Sequence, residues 1–520
     1  MEAKLPRHNK KLEYKLKILM AASEAVPYAK TGGLADMVSA LSLALARRGH
    51  EVRIVLPRYY GINKNELGLE ALEGPMGVHI GGGEEWSEVY HGILPGSSGV
   101  KPGKKKAAGN NPVNVYFIDH ERFFGRDGVY GTPSEPDFLD NPRRFTFFCR
   151  AVYQLCRKIN WYPDVLHSHD WPAALVPVFL KYGERQGEFL KTVSVLTIHN
   201  LGYQGIYGKD NFYATGLGWD TFYNAGFEDW SMMNLLKAGI CSADMINTVS
   251  PNYAEETKTS AYGFRLDGIL RSRASDYRGI LNGIDTEIWN PEKDPLIPAP
   301  FSKKDLSGKA KAKELLQQEF GLPKSAATPI IGFISRLTGQ KGVGELFGPA
   351  YGSAYPICRD MNLQFVVLGS GEAWCENEMR SLESKLSNFK VKIGYSEKLS
   401  HLIEAGSDFY LMPSRYEPSG LSQMYSLNYG TIPIVRNTGG LTDTVENFNQ
   451  DSGSGTGFMF DDLTPQAIYN TVGWAIWAYY NRKPQIEAMR VRGMGKDFSW
   501  DKSAGEYSVM YEEAVKKVFG

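Results

Sequence analysis

Lysine followed at once by a threonine and two glycines can hold phosphate. Lys30-Thr31-Gly32-Gly33-Leu34-Ala35-Asp36 lies between a strand-like run, Lys17 to Ala22, and a helical pattern of Leu34, Val38, Leu41 and Leu45. Two glycines let the backbone approach a ligand, a helix start aims free N–H groups at an anion, and Lys30 adds a full charge. The plainer alternative is a structural glycine turn with a solvated lysine. The spacing is neither GxxxxGK[ST] nor GxGxxG, which disfavours a P-loop ATPase or an ordinary dehydrogenase. A second basic loop, Ser335 to Gly342, follows the run Pro329 to Ile334 and puts Arg336 and Lys341 at its carboxyl end. An arginine fork grips diphosphate oxygens in pairs, and a lysine supplies a point charge. A solvated basic loop is the competing reading.

Two further groups look polar but not phosphate-directed. Ser414 to Leu421 carries Glu417 ahead of a helical pattern, and Thr438-Gly439-Gly440-Leu441-Thr442-Asp443 repeats the glycine pair. A carboxylate beside anion-binding loops suits sugar hydroxyls, although the helix dipole also favours a glutamate at a helix start. Leu166-His167-Ser168-His169-Asp170-Trp171 and Ile198-His199-Asn200-Leu201-Gly202-Tyr203-Gln204-Gly205 cluster histidines at two strand ends. Their spacing matches no zinc set, so no metal is expected.

Elements must position these groups. Lys17–Ala22, the glycine loop, the Leu34–Arg48 helix and the run Val52 to Leu56 make a βαβ unit, which implies a parallel, doubly wound sheet. Val113–Ile118, Val165–His167, Val193–Ile198 and Met245–Val249 read as further strands. After the proline-rich stretch Asn290–Pro300 a second series begins: Pro329–Ile334, Gln364–Leu368, Phe409–Met412 and Ile432–Val435. The polar residues above sit at strand carboxyl ends, where open α/β sheets gather ligands. The expected fold class is therefore α/β, with two Rossmann-like domains facing across a deep cleft. Residues 1–290 form the first domain, 291–500 the second, and 501–520 a terminal amphipathic helix. Gly96–Asn111, with Lys104-Lys105-Lys106, reads as a mobile surface loop.

Composition narrows the class. A chain of 520 residues exceeds one core. Lys+Arg and Asp+Glu both number 58, which speaks against a nucleic-acid partner. Five cysteines in no regular framework suit a reducing compartment. The first residues lack an apolar leader core, and no run of about twenty apolar residues spans a bilayer. A cytoplasmic enzyme with no membrane partner is expected.

The motifs, taken in order, resemble the glycogen and starch synthase family. Lys30–Asp36 is similar to its lysine-x-Gly-Gly-Leu loop, and the likeness continues through His167–Trp171, His199–Gly205, Leu281–Asp285, Arg336–Lys341, Gly394-Tyr395, Pro413–Val445 and Phe498–Asp501. The resemblance implies a GT-B glycosyltransferase fold, with the last helix crossing back to the first domain. It places Lys30 and the Gly32-Gly33 backbone at the donor's phosphates, gripped also by Arg336 and Lys341. Tyr395 stacks on the base, Glu417 holds glucosyl hydroxyls and His199 lies near the reacting carbon. Tyr130, Asp170, Asn282, Thr438, Gly439, Gly440 and Asp36 line the pocket. The chain departs from the family at Ser419, where a cysteine is usual, at Pro172, at Ala35 and at Tyr425.

The implied reaction is α-retaining transfer of glucose from ADP-glucose to the non-reducing end of an α-1,4-glucan, without cofactor. The same reaction with UDP-glucose, and a sugar-nucleotide epimerase on this fold, are the alternatives. No second carboxylate stands ready for the double displacement of retaining glycosidases, whose acids lie about 5–5.5 Å apart. A same-face mechanism, with the departing phosphate helping to deprotonate the acceptor, is therefore expected.

Overall fold

The computed structural model describes residues 15–97 and 111–520. Most of the lysine-bearing loop read over Gly96–Asn111 lies outside the described residues. The chain divides into two compact units. One takes the chain up to Thr248, with Thr257–Ile280 and Trp500–Gly520; the other takes Val249–Glu256 and Leu281–Ser499.

The first unit is built on a ten-stranded sheet. Its parallel part runs in the spatial order Tyr277–Gly279, Met245–Thr248, Val193–Ile198, Val165–His169, Lys17–Ala21, Glu51–Pro57, Asn114–Asp119. Gly83–Ile93 then joins antiparallel. Val193–Ile198 and Val165–His169 are buried at every residue, as strands covered on both faces must be. Each buried Val, Leu or Ile in them contributes about 1.5–3 kcal/mol, while His167, Ser168, His169, Ser194 and Thr197 are buried polar residues. Helix Gly33–Arg47 lays Leu34, Met37, Val38, Leu41 and Leu45 inward, at the 3.6-residue period. The strand order reverses between Lys17–Ala21 and Val165–His169. The carboxyl ends of those two strands open the Lys30 loop and lead to His169-Asp170, so the two motifs share the switch point where ligands bind in such sheets.

The second unit repeats the plan. Its six strands run Phe389–Ile393, Gln364–Gly371, Ile330–Leu337, Phe409–Met412, Ile432–Arg436, Phe458–Phe460. All neighbours are parallel. Here the order reverses between Ile330–Leu337 and Phe409–Met412, the strands that carry Arg336 and lead to Glu417.

The sequence puts the change of domain at 290/291, whereas the main segment of the second unit begins at Leu281. Leu281 and Ile284 pack with Met424, Leu427 and Phe498, and the Ile284 N–H donates to the Phe498 carbonyl at 2.8 Å. The proline-rich stretch is packed surface rather than linker. Ile297 and Phe301 enter a core, and Asp294 accepts from the Tyr429 hydroxyl at 2.5 Å.

Helix Trp500–Phe519 belongs to the first unit. Tyr507 and Tyr511 are buried there; Asn247 Nδ2 donates to the Tyr507 hydroxyl at 2.8 Å, and Tyr511 meets His167 Nδ1 at 2.8 Å.

One backbone position brings the two site-bearing strands of the second unit together. Gly342 has φ of +70°, and a Cβ there falls 1.9 Å from the Pro413 carbonyl oxygen. The Lys341 and Ser414–Glu417 loops touch because nothing larger fits. Gly342→Ala is expected to destabilise this unit by roughly 1–3 kcal/mol, the cost of strained backbone. Denaturant unfolding followed by tryptophan fluorescence checks it, with an unshifted midpoint as the contrary result.

Candidate active site

Arg336, Lys341, Ser414 and Glu417 line one cavity of about 200 Å³ in the second unit. Phe333 and Leu411 supply apolar walls, and Glu417 is its only acidic lining residue. Lys341 Nζ sits 2.6 Å from Glu417 Oε2, with the lysine side chain 20% and the glutamate 8% exposed. Ser414 Oγ donates to the same oxygen at 3.0 Å. Arg336 is exposed and has no ion-pair partner among the described residues. The cavity thus offers one unneutralised guanidinium, and one ammonium shared with a carboxylate able to accept hydroxyl protons.

The Thr438–Gly440 loop abuts this site from behind. The Gly440 N–H donates to the Glu417 carbonyl at 3.0 Å. A Cβ on Gly439, where φ is +48°, falls 1.9 Å from that same oxygen, and one on Gly440 falls 2.1 Å from the Ser419 carbonyl. Close packing of the Glu417 loop therefore accounts for this glycine pair. The Gly439 N–H and Thr438 hydroxyl donate to Glu256 Oε1, at 2.9 and 3.1 Å. Burial raises the Glu256 carboxyl above its ordinary range. Glu372 likewise accepts from the Gly339 N–H at 3.1 Å in the Arg336–Lys341 loop.

Tyr395 stands elsewhere on this unit. It follows strand Phe389–Ile393 and is 81% exposed, outside the cavity's lining. Asn282 is buried and its Oδ1 has no hydrogen-bond partner. Tyr425, at the departure noted above, stacks on Trp289 with ring centres 3.8 Å apart.

In the first unit, Lys30 Nζ pairs with Asp36 Oδ1 at 2.8 Å, one helical turn into Gly33–Arg47. That gives Asp36 a definite partner. The Thr31 and Gly32 N–H groups donate to the buried carboxylate of Glu24, which also accepts from the Thr31 hydroxyl at 2.7 Å and the Tyr130 hydroxyl at 2.6 Å. A Cβ on Gly32 meets nothing within 4 Å, so the opposite side of that loop is open. Glu24, Glu256 and Glu372 escaped sequence reasoning. A glutamate far along the chain from the amide it serves leaves no local spacing signal, and only Glu24, in the same loop, could have been suspected.

The histidines form a buried chain rather than a ligand set. His167 Nε2 lies 2.6 Å from Thr197 Oγ1, which donates to Asn247 Oδ1 at 2.7 Å. Thr197 has one proton and spends it on Asn247, so His167 carries its proton on Nε2 and accepts from Tyr511 on Nδ1. His169 Nδ1 meets His199 Nε2 at 3.2 Å. Burial brings His167 and His199 down to about 3 and His169 well below its ordinary value, so all three are neutral at pH 7. Among the described residues no group of three or more His, Cys, Asp or Glu is placed to hold a metal ion. Asp170 has φ of +55°, and its Oδ1 accepts the His199 N–H at 2.7 Å.

Comparison with known proteins follows the same lines. Residues 17–272 match the family described as starch synthase catalytic domain, and 316–487 match glycosyl transferases group 1. The chain is 56% identical to a glycogen synthase of Treponema denticola over 96% of this chain and 99% of that one. It is 44% identical to glycogen synthase 1 of Geobacter metallireducens, covering 97% of each. The catalytic domain of starch synthase IV from Arabidopsis thaliana, solved with ADP and acarbose, superposes with a TM-score of 0.84 at 32% identity, covering 97% of this chain and 100% of that one.

Burial pushes the Asp170 carboxyl up from 3.8 to about 7, and the nearby Glu24 charge adds to it, against the pull of the His199 and Asn200 N–H groups. Between those values the native state keeps a proton that the unfolded chain has released, so this group's contribution to stability falls as pH rises. Asp170→Asn is expected to flatten the dependence of Tm on pH across that window. A mutant profile parallel to the parent's would contradict the assignment.

Proposed function

The chain belongs to the family of glycogen and starch synthases, and on that premise we propose that it moves glucose from ADP-glucose to the 4-hydroxyl at the non-reducing end of an α-1,4-glucan, with retention at C1. The observation that carries this reading is the cavity in which Arg336, Lys341 and Glu417 meet at a strand-order reversal. Breaking the C1–O bond puts negative charge on the leaving diphosphate and positive character on the ring. Lys341, held by Glu417, and Arg336 supply the cations for the first, and Lys30 is the cation offered by the first unit. Glu417 and His199 hold the glucosyl unit, the neutral imidazole offering a hydrogen bond without a competing charge. Gly32, Gly33, Tyr130 and Asp170 of the first unit, and Asn282 and the Thr438–Gly440 loop of the second, are the further substrate-binding residues of this reading, and Tyr395 offers its ring to the base.

The state of Glu417 supports retention without a glycosyl-enzyme. Glu417 is locked to Lys341 at 2.6 Å and is a poor nucleophile in that state. The departing phosphate, on the same face as the acceptor, then takes the proton of the attacking hydroxyl. ADP as the nucleotide is supported by the Arabidopsis relative, whose structure holds ADP.

Turnover of ADP-glucose and UDP-glucose with glycogen as acceptor tests the donor: faster turnover of the ADP sugar is expected, and preference for the uridine sugar overturns that part. Proton NMR of the new linkage is expected to show the α anomer. Lys341→Ala is expected to lower kcat by roughly 10²–10³, the scale of one preorganised charge-stabilising donor. An unchanged kcat at saturating donor removes Lys341 from this role.

A further inference from the structure

The described residues include six non-glycine positions with positive φ: Asn160, Asp170, Trp230, Ser231, Phe264 and Arg265. Such backbone is strained, and it gathers where function requires it. Five of the six are tied to the stretch 199–205. Asp170 accepts the His199 N–H. Gln204 Nε2 donates to the Phe264 carbonyl at 2.9 Å. Arg265 bonds Asp229, which Asn234 also bonds at 3.1 Å, and Asn234 donates to Gln204 Oε1 at 2.7 Å. Trp230 and Ser231 form the tip of the hairpin that Asp229 and Asn234 anchor.

That tip is doubly unfavourable by itself. Asp229 pairs with Met232, so Trp230-Ser231 is a two-residue turn with both φ positive, at 53° and 64°. Asn-Gly suits such a turn without strain. Here it carries an indole that is 81% exposed. Tyr203, in the stretch leaving His199, is 57% exposed. Strain, an uncovered aromatic face and a buried anchor running back to Gln204, five residues beyond His199, coincide at one place.

We propose that Trp230 is a stacking platform for the acceptor glucan, holding a sugar ring some units back from the chain end that reacts beside His199. This rests on the reading under Proposed function. The occupant follows from the chemistry. A flat uncharged indole matches the C–H face of a glucose ring, and the hairpin that carries it is bonded through Asn234 to Gln204, in the segment that follows His199. Platform contacts of this kind add affinity for long acceptors and nothing for the donor.

The test is the double variant Trp230→Asn, Ser231→Gly, which gives the turn its preferred pair. Its Tm is expected to equal or exceed the parent's. KM for glycogen is expected to rise about tenfold, the scale of one aromatic contact, with KM for ADP-glucose and for maltose unchanged. Mobility in a native gel cast with glycogen, without donor, is expected to lose its retardation. Trp230→Phe is expected to restore most of both. Unaltered glycogen KM and retardation overturn the platform; so does an equal rise in the donor KM, which marks an effect passed through His199. Retardation of the parent chain without glucose transfer from either nucleotide sugar overturns the proposed reaction and leaves the platform standing.

Discussion

The ion pair between Lys341 and Glu417 is the constraint around which the second unit is arranged. Both side chains are largely removed from water, and a buried pair regains in mutual attraction little more than it loses in desolvation. Packing alone gives no reason to keep it. The surrounding backbone is nevertheless built to hold it. Gly342 lets the lysine loop lie on Pro413, and Gly439 with Gly440 lets a third loop lie on Glu417 and Ser419. Three loops from three strand ends are pressed together with only main chain between them. The result is a cation and a hydroxyl acceptor fixed 2.6 Å apart in one cavity, beside an arginine with no ion-pair partner among the described residues. That is the arrangement a sugar phosphate bond requires if its two sides are to be held separately.

A second theme is how backbone N–H groups at the glycine loops are satisfied. Each of three such loops gives an amide to a glutamate of the chain itself: Glu24 at Thr31 and Gly32, Glu372 at Gly339, Glu256 at Gly439. A carboxylate accepts such donors more strongly than a neutral oxygen does. The consequence differs by site. At Gly439 the glycine pair is filled by the Glu417 loop, so Glu256 completes a structural joint. At Gly32 the far side of the loop is open, and the Thr31 amide is already held by Glu24.

How much of this was legible in the sequence follows from which signals are local. Lys17–Ala21 with its glycine loop and helix, and Ile330–Leu337 with its basic loop, showed themselves through period and punctuation, because both are contiguous. Strand-end polar residues pointed to Glu417 and to His199 for the same reason. The domain change did not, since prolines between Asn290 and Pro300 mimic a linker while Ile297 and Phe301 are core. The partners of known motifs were hidden for want of proximity. Glu256 meets Gly439 across 183 positions, and no spacing rule reaches that far. Strain at Trp230-Ser231 was equally invisible, because the residues are ordinary and only their φ values are not.

The terminal helix shows why such distant bonds matter for chemistry. Tyr511 meets His167 in strand Val165–His169 and Tyr507 meets Asn247 in strand Met245–Thr248, and Thr197, donating to Asn247, sets the tautomer of His167. The His167 ring lies 4.1 Å from that of His169, which meets His199. Among the described residues His169 Nε2 has no hydrogen-bond partner, and a bare lone pair there costs less than a buried unpaired N–H. The proton of His169 therefore belongs on Nδ1, donated to His199 Nε2, and the proton of His199 is left on Nδ1. A neutral histidine with its one N–H committed to a single side is an oriented donor. Behind it the buried rings run through His169 and His167 to Tyr511 on the terminal helix, Tyr511 and His167 being separated by 344 positions.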